Sequence, residues 1–130
     1  MPRKRGGLFG SPFGVVPKKQ SEAPPAARRP DLENILCAAI QQRTRVALRY
    51  EDDLAARTFD PYAVFWSSKR KVCVSGMQIS NPSKPMDRLE PHIFEVGKIR
   101  TLSLTDEMFS VDPRFDRGDR KYRGGIICAV

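Results

Sequence analysis

The first regular pattern along the chain is that of an amphipathic helix starting near residue 31. Apolar residues recur at intervals of three and four, which places them on one helical face: Leu32, Ile35, Leu36, Ala39 and Ile40. Asp31 precedes them and is a good N-cap, because its carboxylate can accept hydrogen bonds from the free N–H groups of the first turn. The pattern predicts a helix over about residues 31–43, with one face that must be buried.

Strand-like segments follow the helix. They are rich in apolar and β-branched residues and are separated by polar turns: 46–50, 57–66, 72–77, 93–96 and 99–104. One helix followed by five short strands predicts a mainly β fold. We expect a small five-stranded SH3-like or Sm-like β-barrel, capped by the N-terminal amphipathic helix.

The strand alternation changes parity at Gly97. Phe94 and Val96 belong to one face of a strand, whereas the next apolar residue, Ile99, would belong to the other. Such a slip at a glycine is typical of a β-bulge, in which one extra residue bends the strand. The pattern predicts a bulge that directs Lys98 toward a ligand pocket.

The positive charge is concentrated at the two ends of the chain. The net charge is +8; residues 1–30 contain seven Lys and Arg against a single Glu, and residues 114–130 contain five against two Asp. Residues 1–30 also contain six of the eleven prolines and lack strand or helix periodicity. We predict a disordered basic Pro/Gly-rich tail over 1–30, a domain over 31–116 and a flexible basic C-terminal tail over 117–130.

Several functional classes find no support in the sequence. No segment approaches the roughly eighteen apolar residues of a membrane span. Cys37, Cys73 and Cys128 are widely spaced and His92 is the only histidine, which predicts reduced thiols, a cytoplasmic location and no metal site. Catalysis requires a nucleophile with a base, paired carboxylates or a metal, and no such motif is present. We therefore predict no enzymatic activity and no cofactor.

Three groups of residues carry a resemblance to a known family. Residues 57–61 match the family stretch R-x-V-x-P, Ala39 and Ile40 match its helix end and Tyr50 its strand end, and residues 94–99 match its F-R-L-D-R-I stretch. On these residues, segment 31–116 resembles the WYL domain, a small SH3-like or Sm-like barrel found mostly in bacterial transcription regulators.

The chain also departs from the WYL pattern. The Trp-Tyr-Leu that names the family is replaced by Val72, Cys73 and Val74, and the two family arginines beside the bulge are replaced by Glu95 and Lys98. Residues 1–30 offer no helix-turn-helix of the kind that precedes most family members, so we expect a stand-alone domain. The resemblance implies ligand sensing through basic and aromatic residues on the barrel, with nucleotides or nucleic acids among the family's ligands.

Five residues are candidates for ligand binding. Arg57 can offer a bidentate fork to a phosphate or carboxylate, and Lys98 can add a point charge. Tyr62 could stack on a base if partly exposed, and Lys69 and Lys71 lie in a predicted turn over 67–71 that could contact phosphates. The alternatives are a surface salt-bridge cluster of Arg57, Glu95 and Lys98, core packing of the aromatics, and an ordinary charged turn.

The leading hypothesis is a non-enzymatic regulatory domain that binds an anionic ligand, either a nucleotide or single-stranded nucleic acid, as an accessory in bacterial transcriptional or defence regulation. The alternative is a protein-interaction module without a ligand site, which docks a protein partner or forms a homo-oligomer through its sheet edges. The first predicts that Arg57, Tyr62 and Lys98 share one concave basic face. The second predicts an apolar patch or an edge available for pairing.

Overall fold

The structure is a computed structural model that describes residues 27–84 and 89–130. Its elements in chain order are helix α1 (Pro30–Gln42) and strands β1 (Thr44–Tyr50), β2 (Arg57–Trp66), β3 (Val72–Ser80), β4 (Glu90–Glu95), β5 (Ile99–Met108) and β6 (Ile126–Ala129). Two single-turn 3-10 helices precede the last two strands: Val96–Lys98 before β5 and Arg120–Tyr122 before β6. The predicted disordered tail over 1–30 lies outside the described residues except for 27–30.

Helix α1 confirms the predicted apolar stripe. Leu32, Leu36, Ala39 and Ile40 are all buried against the sheet. The predicted N-cap is wrong: the cap position is Arg29, and Pro30 follows it in the first turn, where its fixed φ suits a helix start. The Asp31 carboxylate instead accepts hydrogen bonds from the Arg29 guanidinium.

The strands form one antiparallel sheet in the order β4-β3-β2-β1-β5. The long strand β2 pairs with β3 along one edge, and on its other edge it pairs first with β1 and then, from Ala63 to Phe65, with β6. The mainly β fold with one helix is confirmed. The SH3-like or Sm-like barrel type is not confirmed: among the described residues the sheet has six strands instead of five and is not closed, with β4 and β5 as its outer strands.

The core lies between α1 and the concave face of the sheet. Its centre is an aromatic cluster in which the Phe94 ring contacts Phe59 at 5.0 Å and Tyr50 at 4.9 Å between centroids. Phe59 and Phe94 are fully buried. Burial of such rings removes a large apolar area from water, which makes this cluster a main source of the domain's stability.

The C-terminal segment is part of the domain, so the prediction of a flexible tail over 117–130 is wrong. Tyr122 is 6% exposed, and its ring packs edge-on against Phe65 at 4.8 Å. Strand β6 pairs with β2, and the Val130 N–H donates to the Tyr62 carbonyl at 2.8 Å. A four-residue strand has too little periodicity to be recognised in the sequence, and its stability comes from β2.

Two of the three cysteines form a disulfide. Cys37 on α1 is bonded to Cys128 on β6, across 91 residues of sequence, whereas Cys73 is a buried free thiol. The prediction of reduced thiols is therefore wrong for Cys37 and Cys128. Disulfides persist mainly in oxidising compartments, so the cysteines no longer support a cytoplasmic location. Across residues 27–84 and 89–130, no helix has the length and apolar character needed to cross a bilayer.

The parity change at Gly97 has a different cause from the predicted β-bulge. Residues Val96–Lys98 form one turn of 3-10 helix that ends β4 and starts β5. Strands β4 and β5 are the two outer strands of the sheet. Gly97 therefore lies in the connection between two strands and not within one strand. Gly125 is the glycine with a positive φ, at 115°, among the residues described.

Candidate functional site

A basic cavity of about 320 Å³ lies where the start of α1, the β2–β3 turn and the β4–β5 turn meet. Four cations, one aromatic ring and two carboxylates line what we call the basic cavity: Arg28, Arg29, Arg70, Lys71, Trp66, Glu33 and Glu95. Three of the four cations already pair with a carboxylate: Arg28 with Glu33, Arg29 with Asp31 and Lys71 with Glu95. Arg70 makes no salt bridge among the described residues and is the cation most available to an anion.

Arg28 is held in a defined position in the basic cavity. Its guanidinium carbon lies 4.9 Å from the centroid of the Trp66 ring, a cation–π distance. Its Nε donates to Glu33 Oε2 at 3.2 Å, and the Glu33 side chain is 6% exposed. Since the guanidinium has further N–H groups, Arg28 can donate to an anion while keeping these contacts.

The β2–β3 turn presents the cations at the other side of the cavity. The Ser67 hydroxyl oxygen accepts hydrogen bonds from the N–H groups of Lys69 and Lys71. Arg70 adopts the left-handed conformation, with φ of 63°, which closes the turn. The predicted turn at 67–71 is confirmed, and it brings Arg70 and Lys71 to the cavity while Lys69 stays exposed at the tip.

The two carboxylate oxygens of Glu95 differ in their partners. Its Oε1 lies 3.5 Å from Lys71 Nζ and 3.8 Å from Lys98 Nζ. Its Oε2 is buried and has no hydrogen-bond partner among the described residues. A buried acceptor without a partner is costly, and because this oxygen is closed to solvent, a ligand can donate to it only after neighbouring side chains move.

Arg57, the first of the predicted ligand residues, uses its fork inside the protein. It donates to both carboxylate oxygens of Asp53, at 2.7 and 2.9 Å, and Nη1 donates to Gln78 Oε1 at 3.2 Å. The Arg57 and Asp53 side chains are 15% and 9% exposed. The hydrogen bond from Arg57 lowers the pKa of Asp53 below its ordinary value. Arg57 is thus in a salt bridge with Asp53, and not in the predicted surface cluster with Glu95 and Lys98.

Tyr62 is buried, not partly exposed as predicted. Its hydroxyl oxygen accepts a hydrogen bond from the Asp112 N–H at 2.9 Å, and its ring contacts Phe115 at 5.5 Å between centroids. Tyr62 lines a second cavity of about 530 Å³ between β3, β4 and segment 112–122, whose floor also includes Phe115 and Tyr122. The Tyr122 hydroxyl is hydrogen-bonded to Ser75 Oγ at 2.7 Å.

The predicted ligand residues are thus distributed over the molecule. Lys71 lines the basic cavity, Tyr62 lines the second cavity, and Arg57, Lys69 and Lys98 line neither. Lys98 lies between Glu51, at 3.7 Å, and Glu95, at 3.8 Å, with its side chain 44% exposed. Arg57, Tyr62 and Lys98 consequently form no common concave face.

The sequence prediction missed two residues of the basic cavity, Arg28 and Arg29, and did not select Arg70 within the predicted turn. Arg28 and Arg29 were assigned to the tail, although they directly precede a helix whose first turn carries Asp31 and Glu33. Arg70 lies in the predicted turn beside the two lysines that were chosen. The available signal was opposite charge at short spacing around the helix start, which favours order there.

His92 provides a pH-dependence prediction. Burial, and then the positive charge of Arg57, lower the pKa of His92 below its ordinary value of 6.5. As pH falls through about 6.5, the unfolded chain takes up this proton before the folded one. The free energy of unfolding should therefore decrease below that pH. Urea unfolding of the parent and of His92→Gln at pH 7.5 and 5.5 should show a smaller pH difference for the variant; equal differences would contradict the assignment.

The comparisons with known proteins add no family. No family model, no curated protein and no solved structure matches the chain. The resemblance to the WYL domain therefore stays a prediction from the residues quoted above. Among residues 27–84 and 89–130, no group of three His, Cys, Asp or Glu side chains could hold a metal ion.

Proposed function

We propose that the protein is a non-enzymatic domain that binds a phosphate-bearing ligand, a nucleotide or single-stranded nucleic acid, in the basic cavity. The observation that carries the proposal is the convergence of Arg28, Arg29, Arg70 and Lys71 beside Trp66. Arginine forks match phosphate oxygens, and charge-assisted hydrogen bonds of this kind are the strong ones. Trp66 holds the Arg28 guanidinium 4.9 Å from its ring centroid and so positions that fork for the phosphate.

The proposal includes Glu95: ligand binding exposes its buried oxygen, which then accepts from a hydrogen-bond donor of the ligand. Its buried Oε2 has no partner among the described residues, and inorganic phosphate offers few donors to a carboxylate. A nucleotide supplies ribose hydroxyls and amino groups in addition to its phosphates. This combination favours nucleotides over simple anions.

The proposed site differs from the one predicted from the sequence. Lys71 is common to both, and Lys98 acts on the cavity through its approach to Glu95 at 3.8 Å. Arg57 supports the fold through Asp53 instead of contacting the ligand. A role in bacterial transcriptional or defence regulation rests on the WYL resemblance alone.

Titration calorimetry with ATP, oligothymidylate and inorganic phosphate tests the proposal. Arg70→Glu should weaken ATP binding at least about tenfold, because a hydrogen bond to a charged group contributes roughly 1.5–3 kcal/mol and about 1.4 kcal/mol corresponds to tenfold. Arg117→Glu, the matched control, makes the same charge change at an exposed residue outside the cavity. It should leave the affinity unchanged.

The titrations also separate the two ligand sources. Tighter binding of ATP than of oligothymidylate favours a nucleotide site, and the reverse favours single-stranded nucleic acid. Equal weakening by Arg70→Glu and Arg117→Glu would mean non-specific attraction to a basic surface, and would contradict the proposal.

A protein-interaction module is the second candidate function. The observation that favours it is the exposure of apolar side chains on the outer strand β5, where Leu104 and Met108 are 47% and 71% exposed. Absence of ATP and oligonucleotide binding by a folded parent protein would make this the better proposal.

A further inference from the structure

Strand β5 presents a sheet edge with no strand partner among the described residues. It is the last strand in the order β4-β3-β2-β1-β5, and its inner edge pairs with β1. Its register against β1 is regular from Thr101 to Leu104, and Leu104 is 47% exposed. An open edge of this kind leaves backbone N–H and C=O groups available for another strand.

The two outer strands of the sheet differ in how they are protected. Strand β4 is six residues long and contains Pro91, which lacks an N–H and weakens pairing at an edge. Strand β5 is ten residues long and contains neither proline nor lysine; its charged residues, Arg100, Asp106 and Glu107, lie toward its ends and leave the segment 101–105 without a charge. This contrast indicates that β5 is the edge at which a partner strand fits.

The partner is identified by the sequence of β5 itself. We propose that β5 pairs in antiparallel fashion with β5 of a second copy of this chain, with the two-fold axis at Ser103. Arg100 would then lie opposite Asp106 of the partner subunit, and Leu102 opposite Leu104 of the partner subunit. Thr101 would face Thr105 of the partner subunit. Opposite charges, paired leucines and paired threonines are favourable cross-strand neighbours.

The geometry of the strand is compatible with this pairing. A two-fold axis perpendicular to a sheet brings residues of the same face together, and Leu102 and Leu104, which lie in the regular part of the strand, have the same parity. The register against β1 shifts at both ends of the strand, between Ile99 and Thr101 and between Leu104 and Met108. The regular part of the contact is therefore 101–104, and Arg100 and Asp106 lie just outside it. The charged pairs at its ends rely on the length of the exposed Arg100 side chain.

This inference goes beyond the proposed function and does not depend on it. None of the residues of the contact lines the basic cavity. Pairing would form a continuous sheet through two subunits and bury the exposed Leu104 side chain. Dimerisation and anion binding can therefore succeed or fail separately.

A charge exchange tests the proposed register. By sedimentation equilibrium the parent should be a dimer, whereas Arg100→Asp and Asp106→Arg should each raise the dimer dissociation constant at least about tenfold, because like charges would then face each other. The double variant R100D/D106R should restore the dimer. Both residues are exposed, and thermal melts by circular dichroism check that each variant folds.

A cysteine at the axis tests the same register without altering charge. Ser103→Cys should form a covalently linked dimer on mild oxidation, since the two introduced thiols would face each other. Ser110→Cys, also exposed but outside β5, should not. Cys37 and Cys128 are already bonded and Cys73 is buried. A monomeric parent, failure of R100D/D106R to dimerise, or equal cross-linking at both positions would overturn the inference.

Discussion

Replacing both Cys37 and Cys128 with serine should lower the free energy of unfolding by about 4 kcal/mol. The disulfide joins α1 to β6 across 91 residues, and a cross-link that closes so long a loop removes much of the conformational freedom of the unfolded chain. Strand β6 is four residues long and pairs with β2 at three positions. We expect urea unfolding to show the loss, together with earlier proteolysis of the C-terminal segment.

The matched control for this prediction is chemical reduction. A reductant should destabilise the parent but leave the doubly substituted protein unchanged, since Cys73 remains as its single thiol. Thiol counting in unfolded, unreduced parent protein should give one free cysteine. A count of three, with no effect of reductant on stability, would contradict both the disulfide and the predicted loss.

Arg57→Met should lower the free energy of unfolding by about 3 kcal/mol and leave the affinity for ATP unchanged. Methionine preserves much of the side-chain length over the Phe94 ring, which the Arg57 guanidinium carbon approaches at 5.4 Å. It leaves the Asp53 carboxylate, 9% exposed, without its bidentate partner. The loss of the bidentate partner is the main cost, and the Tyr50 N–H and the positive charge of Arg49 remain near the carboxylate.

A second substitution isolates that cost. Adding Asp53→Asn to Arg57→Met removes the negative charge, so the double variant should be more stable than Arg57→Met alone. The Arg57 hydrogen bond also lowers the pKa of Asp53, so the stabilisation by the pair should be present above about pH 4 and be lost as pH falls below it. If Arg57→Met folds stably and loses ATP binding, Arg57 belongs to the ligand site, as the WYL resemblance implies.

The basic cavity and the Arg57 ion pair show why residue type alone located only part of the candidate site. Arg57 and Lys71 are both cations on or next to strands, and the sequence analysis predicted both as ligand-binding residues. In the fold, Arg57 is four residues from Asp53 across the β1–β2 turn and is paired with it, whereas Lys71 reaches a cavity that also contains Arg28. The residue with which a charged side chain pairs depends on which turns and strand ends lie next to each other in the fold.

The sequence by itself determined the local elements of this protein. The spacing of Leu32, Leu36 and Ile40 determined helix α1, and the β-branched runs and polar turns determined the first five strands, because these signals depend on neighbours within a few residues. The 67–71 turn was predictable for the same reason. Each of these elements buries apolar residues that recur at a short, regular spacing along the chain.

Only the tertiary structure decided which distant segments meet. Cys37 is bonded to Cys128, β6 pairs with β2, and β5 is an outer strand of the described sheet. Local sequence patterns do not encode this order of strand pairing. A four-residue strand such as Ile126–Ala129 forms through hydrogen bonds to β2 and through the bonded cysteine, not through its own preference for extended structure. The basic cavity arises in the same way, since Arg28, Arg70 and Glu95 belong to three segments whose approach depends on the packing of the whole domain.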